Sequence, residues 1–88
     1  MSWTVKYLGN AQKYLKKTDK NIRDRLREAI ESKIAELDDP RSLGRALKGE
    51  HLWRYRVGEY RVIVEIRDDE LLILVITIGH RKDVYRPK

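Results

Sequence analysis

Eighty-eight residues make one domain, with a single compact core and little stability to spare. Apolar residues are 41% and charged residues 39%, both signs are mixed, and the net charge is +6. This balance excludes a disordered tail and points to an anionic partner: nucleic acid, an anionic membrane surface or an acidic protein. Cysteine is absent, which excludes a disulfide framework and a thiolate zinc site and suits a reducing cytoplasm.

In chain order, Trp3 to Leu8 alternates apolar and polar residues and predicts a short strand ended by Gly9 and Asn10. Asn10 is suited to cap a helix from Ala11 to about Lys17. Thr18 or Asp19 then caps a longer helix. Its residues Ile22, Leu26, Ala29, Ile30, Ile34 and Leu37 fall at three- and four-residue steps, forming one apolar stripe. Asp38-Asp39-Pro40 ends it, because the residue before proline avoids helical angles. Residues 41–51 read as a loop with at most one helical turn. Three strands follow, about 52–57, 60–67 and 71–78, the last two joined by the acidic turn Asp68-Asp69-Glu70. The run 71–78 is apolar at almost every position, as expected of a strand covered on both faces, and is too short to cross a bilayer. The N-terminus lacks the apolar region of a secretion signal, so a cytoplasmic protein with no membrane partner is expected. The fold class is α+β, ordered β-α-α-β-β-β: a helical hairpin packed on a mostly antiparallel twisted sheet, as one domain over residues 1–88. The first strand is expected beside the later meander.

The most informative stretch is LWRYRVGEYRVIVEI, residues 52–66. It predicts a hairpin turning at Gly58-Glu59, where glycine first suits a type II′ turn. Counting outward pairs Val57 with Tyr60, Arg56 with Arg61 and Tyr55 with Val62. Arg54, Arg56 and Arg61 then share the face away from the helices. Two arginines directly opposite each other repel. Water can screen them, Glu65 can neutralise part of the cluster, or a polyanion can sit over it. Arg61, like Arg81 further on, is expected to be an exposed cation whose removal costs the fold little.

After the last strand comes Gly79-His80-Arg81-Lys82-Asp83-Val84-Tyr85. Gly79 permits a sharp exit, and the segment delivers a histidine, an arginine and a tyrosine from the end of a rigid strand. Metal-free RNA cleavage needs such groups. The 2′-hydroxyl must lose a proton, cations must surround the phosphorane-like transition state, and the leaving 5′-oxygen must gain a proton. Arginines supply the electrostatic stabilisation but exchange protons poorly. Proton transfer falls to Tyr85 or His80; tyrosine can alternatively stack on an unpaired base. His51 and His80 form a much weaker two-histidine alternative. No metal-ligand spacing, P-loop or dinucleotide loop is present, and no cofactor is expected. Lys13, Lys16, Lys17 and Lys20 form a second basic patch, suited equally to solubility or to docking on ribosomal RNA.

Over essentially its whole length the chain resembles the RelE/ParE superfamily, the toxin halves of bacterial type II toxin–antitoxin pairs. The resemblance rests on Leu47-Lys48-Gly49, on residues 53–63 and on residues 79–85. Taken together these are similar to the RelE branch. That likeness implies an mRNA endonuclease working in the ribosomal A site, attacking through the 2′-hydroxyl and leaving a 2′,3′-cyclic phosphate and a 5′-hydroxyl. By motif, Arg61 and Arg81 match the arginines at the scissile phosphate, and Tyr85 matches the tyrosine proposed as general base and stacking group. Arg54 and Arg56 stand where the best-known members carry lysine, and arginine at 56 is poorly suited to proton transfer. Lys48 and Lys82 would add RNA contacts, and His80 is a further catalytic candidate. The implied partners are a RelB-like antitoxin that covers or distorts the basic face, and the ribosome with its mRNA. ParE-like relatives share the fold but inhibit DNA gyrase without cutting RNA, which is the alternative reading.

Overall fold

The helical hairpin and the sheet are joined through one apolar layer, and the register of the sheet decides which residues enter it. The computed structural model describes residues 3–47 and 52–80. Strand β1 (Thr4–Tyr7) leads into α1 (Gly9–Lys17) and α2 (Lys20–Glu28), which continues as a π-helical stretch, Ala29–Ile34. A 3-10 turn (Pro40–Ser42) and a two-residue strand β2 (Arg45–Ala46) precede β3 (Leu52–Val57), β4 (Tyr60–Arg67) and β5 (Leu72–His80). The sheet has five strands in the order β1-β5-β4-β3-β2. All neighbours are antiparallel except β1 and β5, which run parallel with Val5 opposite Ile73. The expected α+β architecture and the placement of the first strand beside the meander are both present; the short edge strand β2 is an addition to the expected order.

The helices form where the periodicity predicts, with shifted ends. The α1 helix starts at Gly9 rather than Ala11, and Asn10 lies inside it instead of capping it; the cap position is Leu8, which uses no side chain. Asp19 does cap α2, accepting from the Asn21 amide at 3.2 Å. Near the end of that helix the Ala35 amide bonds to the Ile30 carbonyl, five residues back. The wider turn lets Ile30, Ile34 and Ala35 all reach the core, at 0%, 4% and 3% exposure. The helix face packs on Tyr55, Val62, Val64, Ile66, Ile73, Val75 and Ile78, which form one cluster with Leu26, Leu15, Ala11 and Trp3.

Two features of the sheet position everything outside that cluster. The β3–β4 register is the one expected: Val57 with Tyr60, Arg56 with Arg61, Tyr55 with Val62. Gly58 has φ +60 while Glu59 keeps negative φ, as a type II′ turn requires. The second feature is a β-bulge in β5. Ile63 faces Thr77 but Val64 faces Val75, so Ile76 is an extra residue and the alternation of β5 inverts there. Strand β5 also runs on through Gly79 to His80, not leaving the sheet at Gly79 as expected. It begins at Leu72 because Leu71 takes a left-handed conformation, φ 49, closing the acidic turn.

The loop before β2 is tied down by side chains from β3. The Tyr55 hydroxyl donates to the Pro40 carbonyl at 2.6 Å and the Trp53 indole donates to the Leu43 carbonyl at 2.6 Å. Arg41 forks onto the Asp68 carboxylate with two bonds of 2.9 Å. Burial pushes the Tyr55 phenol well above the ordinary tyrosine range. Burial, then the hydrogen bond to Glu31, raises the Tyr7 phenol likewise. A phenol whose folded pKa is raised contributes its stability in full below the unfolded value near ~10 and loses it as pH climbs towards the folded value. Tyr55→Phe, which leaves a buried carbonyl without its donor, is expected to cost about 1–3 kcal/mol at neutral pH in urea unfolding. Above pH ~10 the gap between variant and wild type should narrow, since only the wild type loses the Tyr55 contribution there.

Candidate functional site

On the sheet face away from the helices, alternation places Arg54 and Arg56 two residues apart on β3. The ladder sets Arg61 opposite Arg56 and Arg45 opposite Arg54. These four arginines and Gly44 line one cleft of about 300 Å³. Gly79 faces Arg61 on the far side. Among the described residues no ion pair involves Arg45, Arg54 or Arg56; the pairs formed by arginine use Arg27, Arg41 and Arg67. Glu65 does not neutralise the cluster. It faces Leu52 in the ladder and binds Arg67 at 2.9 Å. A concave surface lined, among the described residues, by guanidinium groups and no carboxylate favours an anion that can accept several forked hydrogen bonds, and a phosphodiester backbone is such a ligand.

Three expectations are corrected by the geometry. First, Arg61 is not an exposed cation: it is 6% exposed, the one buried charged residue among the described residues. The strand ladder fixes its stem between Arg56 and Gly79, so removing it strips a packed side chain as well as a charge. Its loss therefore costs the fold more than a surface change. Second, His80 does not join the arginines. Strict alternation from Ile73 and Val75 would have put His80 on the arginine face, but the extra residue Ile76 moves it to the helix side. There it faces Tyr60, with ring centroids 5.2 Å apart and planes at 90°, and its Nε2 lies 3.5 Å from the Glu59 carboxylate. Tyr14 of α1 completes this aromatic group, 6.4 Å from Tyr60. Third, Arg45 was not among the expected site residues. It is brought in by a two-residue strand whose only sequence mark is a glycine followed by Arg-Ala-Leu. Lys48, His51, Arg81, Lys82 and Tyr85 lie outside the described residues.

The bridge to Arg45 is Gly44. Its φ is +80, and a Cβ there would stand 2.4 Å from the Arg54 carbonyl oxygen and 2.9 Å from both the Trp53 indole nitrogen and Tyr55 Cδ1. No side chain fits, and the backbone angle is one that glycine adopts freely. On the helix side of this edge lies a groove of about 390 Å³ lined by Ile34, Leu43, Tyr55 and Val57 among others. Gly44 and Arg56 line both spaces.

Comparison with known proteins agrees with this architecture. Residues 5–85 match the family model described as the ParE toxin of type II toxin–antitoxin systems. Toxin RelG of Mycobacterium tuberculosis is 28% identical over 89 residues, spanning 98% of this chain and 99% of that protein. Among solved structures, the toxin–antitoxin complex RelBE2 of the same organism superposes with a TM-score of 0.82 at 23% identity, covering 92% and 93% of the two chains. The RelB–RelE complex of Methanococcus jannaschii gives 0.68 at 29% identity over 93% and 99%. Isolated RelE of Escherichia coli gives 0.72 at 14% identity over 90% and 84%. A helical hairpin on a five-stranded, mostly antiparallel sheet with this order is the RelE-like fold. The chain belongs to the ParE toxin family of type II toxin–antitoxin systems, within the RelE/ParE superfamily.

The Arg56–Arg61 pairing has a measurable cost. Arg56→Gln removes one of two like charges set opposite each other and is expected to raise stability by about 0.2–1 kcal/mol at low ionic strength. Added salt should erase that gain, because screening relieves the same repulsion in the wild type. Urea midpoints at two salt concentrations check it; a variant less stable than wild type at low salt would contradict it.

Proposed function

We propose that this toxin is a metal-independent mRNA endonuclease that cuts translated mRNA in the ribosomal A site by attack of a 2′-hydroxyl on the adjacent phosphate. The observation that carries this reading is the convergence of Arg54, Arg56 and Arg61 on one cleft free of carboxylates among the described residues. Catalysis of phosphodiester cleavage without a metal depends on cations fixed where charge develops in the transition state. A guanidinium held by a strand ladder meets that need without reorganising at the moment of reaction.

In this reading Arg61 and Arg81 hold the scissile phosphate, following the motif resemblance, and Arg54 and Arg56 add charge along the backbone. Lys48 and Lys82 make further RNA contacts. Tyr85, again following the motif resemblance, is the group assigned to stack on a base or to take the 2′-proton. Proton transfer by arginine is unsuitable because the guanidinium holds its proton at all accessible pH. His80 is not assigned a role at the arginine cleft, since it sits on the helix side of the sheet. A RelB-like antitoxin is the proposed partner, in keeping with relatives solved as RelB–RelE complexes.

A second reading has one observation in its favour: the matching family carries the name of ParE toxins. A ParE-like inhibitor of DNA gyrase would bind protein and cut nothing. Such an inhibitor has no need of a cleft lined by arginines. The two are separated by inducing the toxin, mapping cuts on a translated mRNA by primer extension, and assaying gyrase supercoiling alongside. Cuts within codons and intact supercoiling are expected.

Arg61→Ala is expected to lower single-turnover cleavage about 10²–10³-fold, the scale of losing one fixed donor at a developing anion. Because Arg61 is buried, Arg61→Lys serves beside it. That variant keeps the charge and much of the stem, so its urea midpoint should stay near wild type while cleavage still falls at least about tenfold through loss of the forked geometry. Tyr85→Phe keeps the ring and removes the hydroxyl. A fall of about 10²–10⁴-fold would identify Tyr85 as the base, and a near-wild-type rate would leave it a stacking group.

A further inference from the structure

We infer that Arg45 is a fifth RNA-binding arginine, holding a backbone phosphate next to the one held at Arg61 and setting the affinity of the cleft, not its rate. The inference rests on the endonuclease reading and adds a residue to its site. None of the stretches that carry the family resemblance contains Arg45.

Three structural facts support it. Arg45 lines the same cleft as Arg54, Arg56 and Arg61. Its ladder position, opposite Arg54, places its side chain on the arginine face. The chain leading to it is also tied down by side chains of β3. The chain approaches on the helix side, where Trp53 holds the Leu43 carbonyl and Tyr55 holds the Pro40 carbonyl. It crosses the sheet edge at Gly44, against the Arg54 carbonyl, and emerges on the opposite face as Arg45. The crossing is possible only without a Cβ. What it achieves is the delivery of one guanidinium to the open end of the cleft, on a backbone anchored by two aromatic side chains of β3, one of them, Tyr55, only 2% exposed.

The division of labour follows from distance. Arg45 and Arg61 are separated by two strand spacings across the sheet and by two residues along it, which gives a Cα separation of about 12 Å. Side chains on one sheet face stand roughly parallel to one another, so their guanidinium groups keep much of that spacing. Both cannot fork onto one phosphate while standing so; Arg45 reaches a neighbouring one. A contact to a non-reacting phosphate binds ground state and transition state alike. It changes half-saturation and leaves the limiting rate alone.

The test is single-turnover cleavage on mRNA-programmed ribosomes, titrated with wild type, Arg45→Ala, Arg45→Lys and Arg45→Glu, with Arg61→Lys as the reference for a rate defect. Arg45→Ala is expected to raise the half-saturating toxin concentration about tenfold, the lower end for losing a charged hydrogen bond, with the limiting rate within about threefold of wild type. Arg45→Lys should recover most of the affinity and Arg45→Glu should lose more than alanine. The dependence of half-saturation on salt should flatten by about one unit of log–log slope in Arg45→Ala, one phosphate contact fewer. Unchanged half-saturation in both the alanine and glutamate variants, beside an active wild type, overturns the inference. So does a lowered limiting rate with unchanged half-saturation. A wild type that leaves programmed mRNA uncut overturns the endonuclease reading itself and takes this inference with it.

Discussion

The two-residue turn at Gly58-Glu59 governs what each side of this sheet can be. It locks β3 against β4 so that Tyr55 and Val62 enter the apolar layer while Arg54, Arg56 and Arg61 go the other way. A slip of one residue would exchange the two sets and drive guanidinium groups into the space under the helices. That space already holds Val62 and Val64 at 0% exposure, and an arginine there would lose its hydration with no partner supplied. The core therefore selects the register, the glycine at φ +60 makes the turn that realises it, and the cationic face follows as the remainder.

The same arrangement explains how the protein tolerates a site that contributes repulsion. Arg56 and Arg61 are held opposite each other by ladder bonds whose stability comes from the packing on the far side of the sheet. Tyr55 and Trp53 serve both ends at once: their rings face the helices, and their polar tips hold the loop that leads to Arg45. Core packing and site geometry are thus not separable here. A substitution that loosens those aromatic residues would move a cation on the other face of the sheet without touching it. The fold, by contrast, does not choose between cutting RNA and binding gyrase; that choice is made by the site the fold carries.

Local periodicity carried most of the architecture. The helix stripe, the turn and the hairpin register could be counted directly because each is set by residues within a few positions of one another. What escaped the sequence was set at longer range. Strand β2 is two residues long and exists because Trp53 and Tyr55 bind the loop carbonyls, with no pattern of its own. Arg61 reads as an exposed cation because arginine usually is one, yet in the folded sheet it is 6% exposed. His80 was grouped with Arg81 by adjacency in the chain, and the structure sends it to Tyr60 and Glu59. The run 71–78 carries a single polar residue, Thr77, too little to show where its alternation changes, so the irregularity at Ile76 could not be counted.

That irregularity makes β5 two strands of opposite parity spliced end to end. Its first half is read against β1 and the lower part of β4, its second half against Tyr60, Arg61 and Val62. The extra residue is consequently what keeps the two halves in step with β4. Deleting it would let β5 alternate regularly, with Gly79 still beside Arg61 and the imidazole still on the helix side. Pairing the strand straight through at its present length would instead turn Thr77 to His80 by half a turn about the strand axis, the imidazole towards the guanidinium groups and Gly79 towards the helices. A lineage could thus shed one codon here and keep the chemistry beside its arginines, whereas losing the irregularity at constant length would change it.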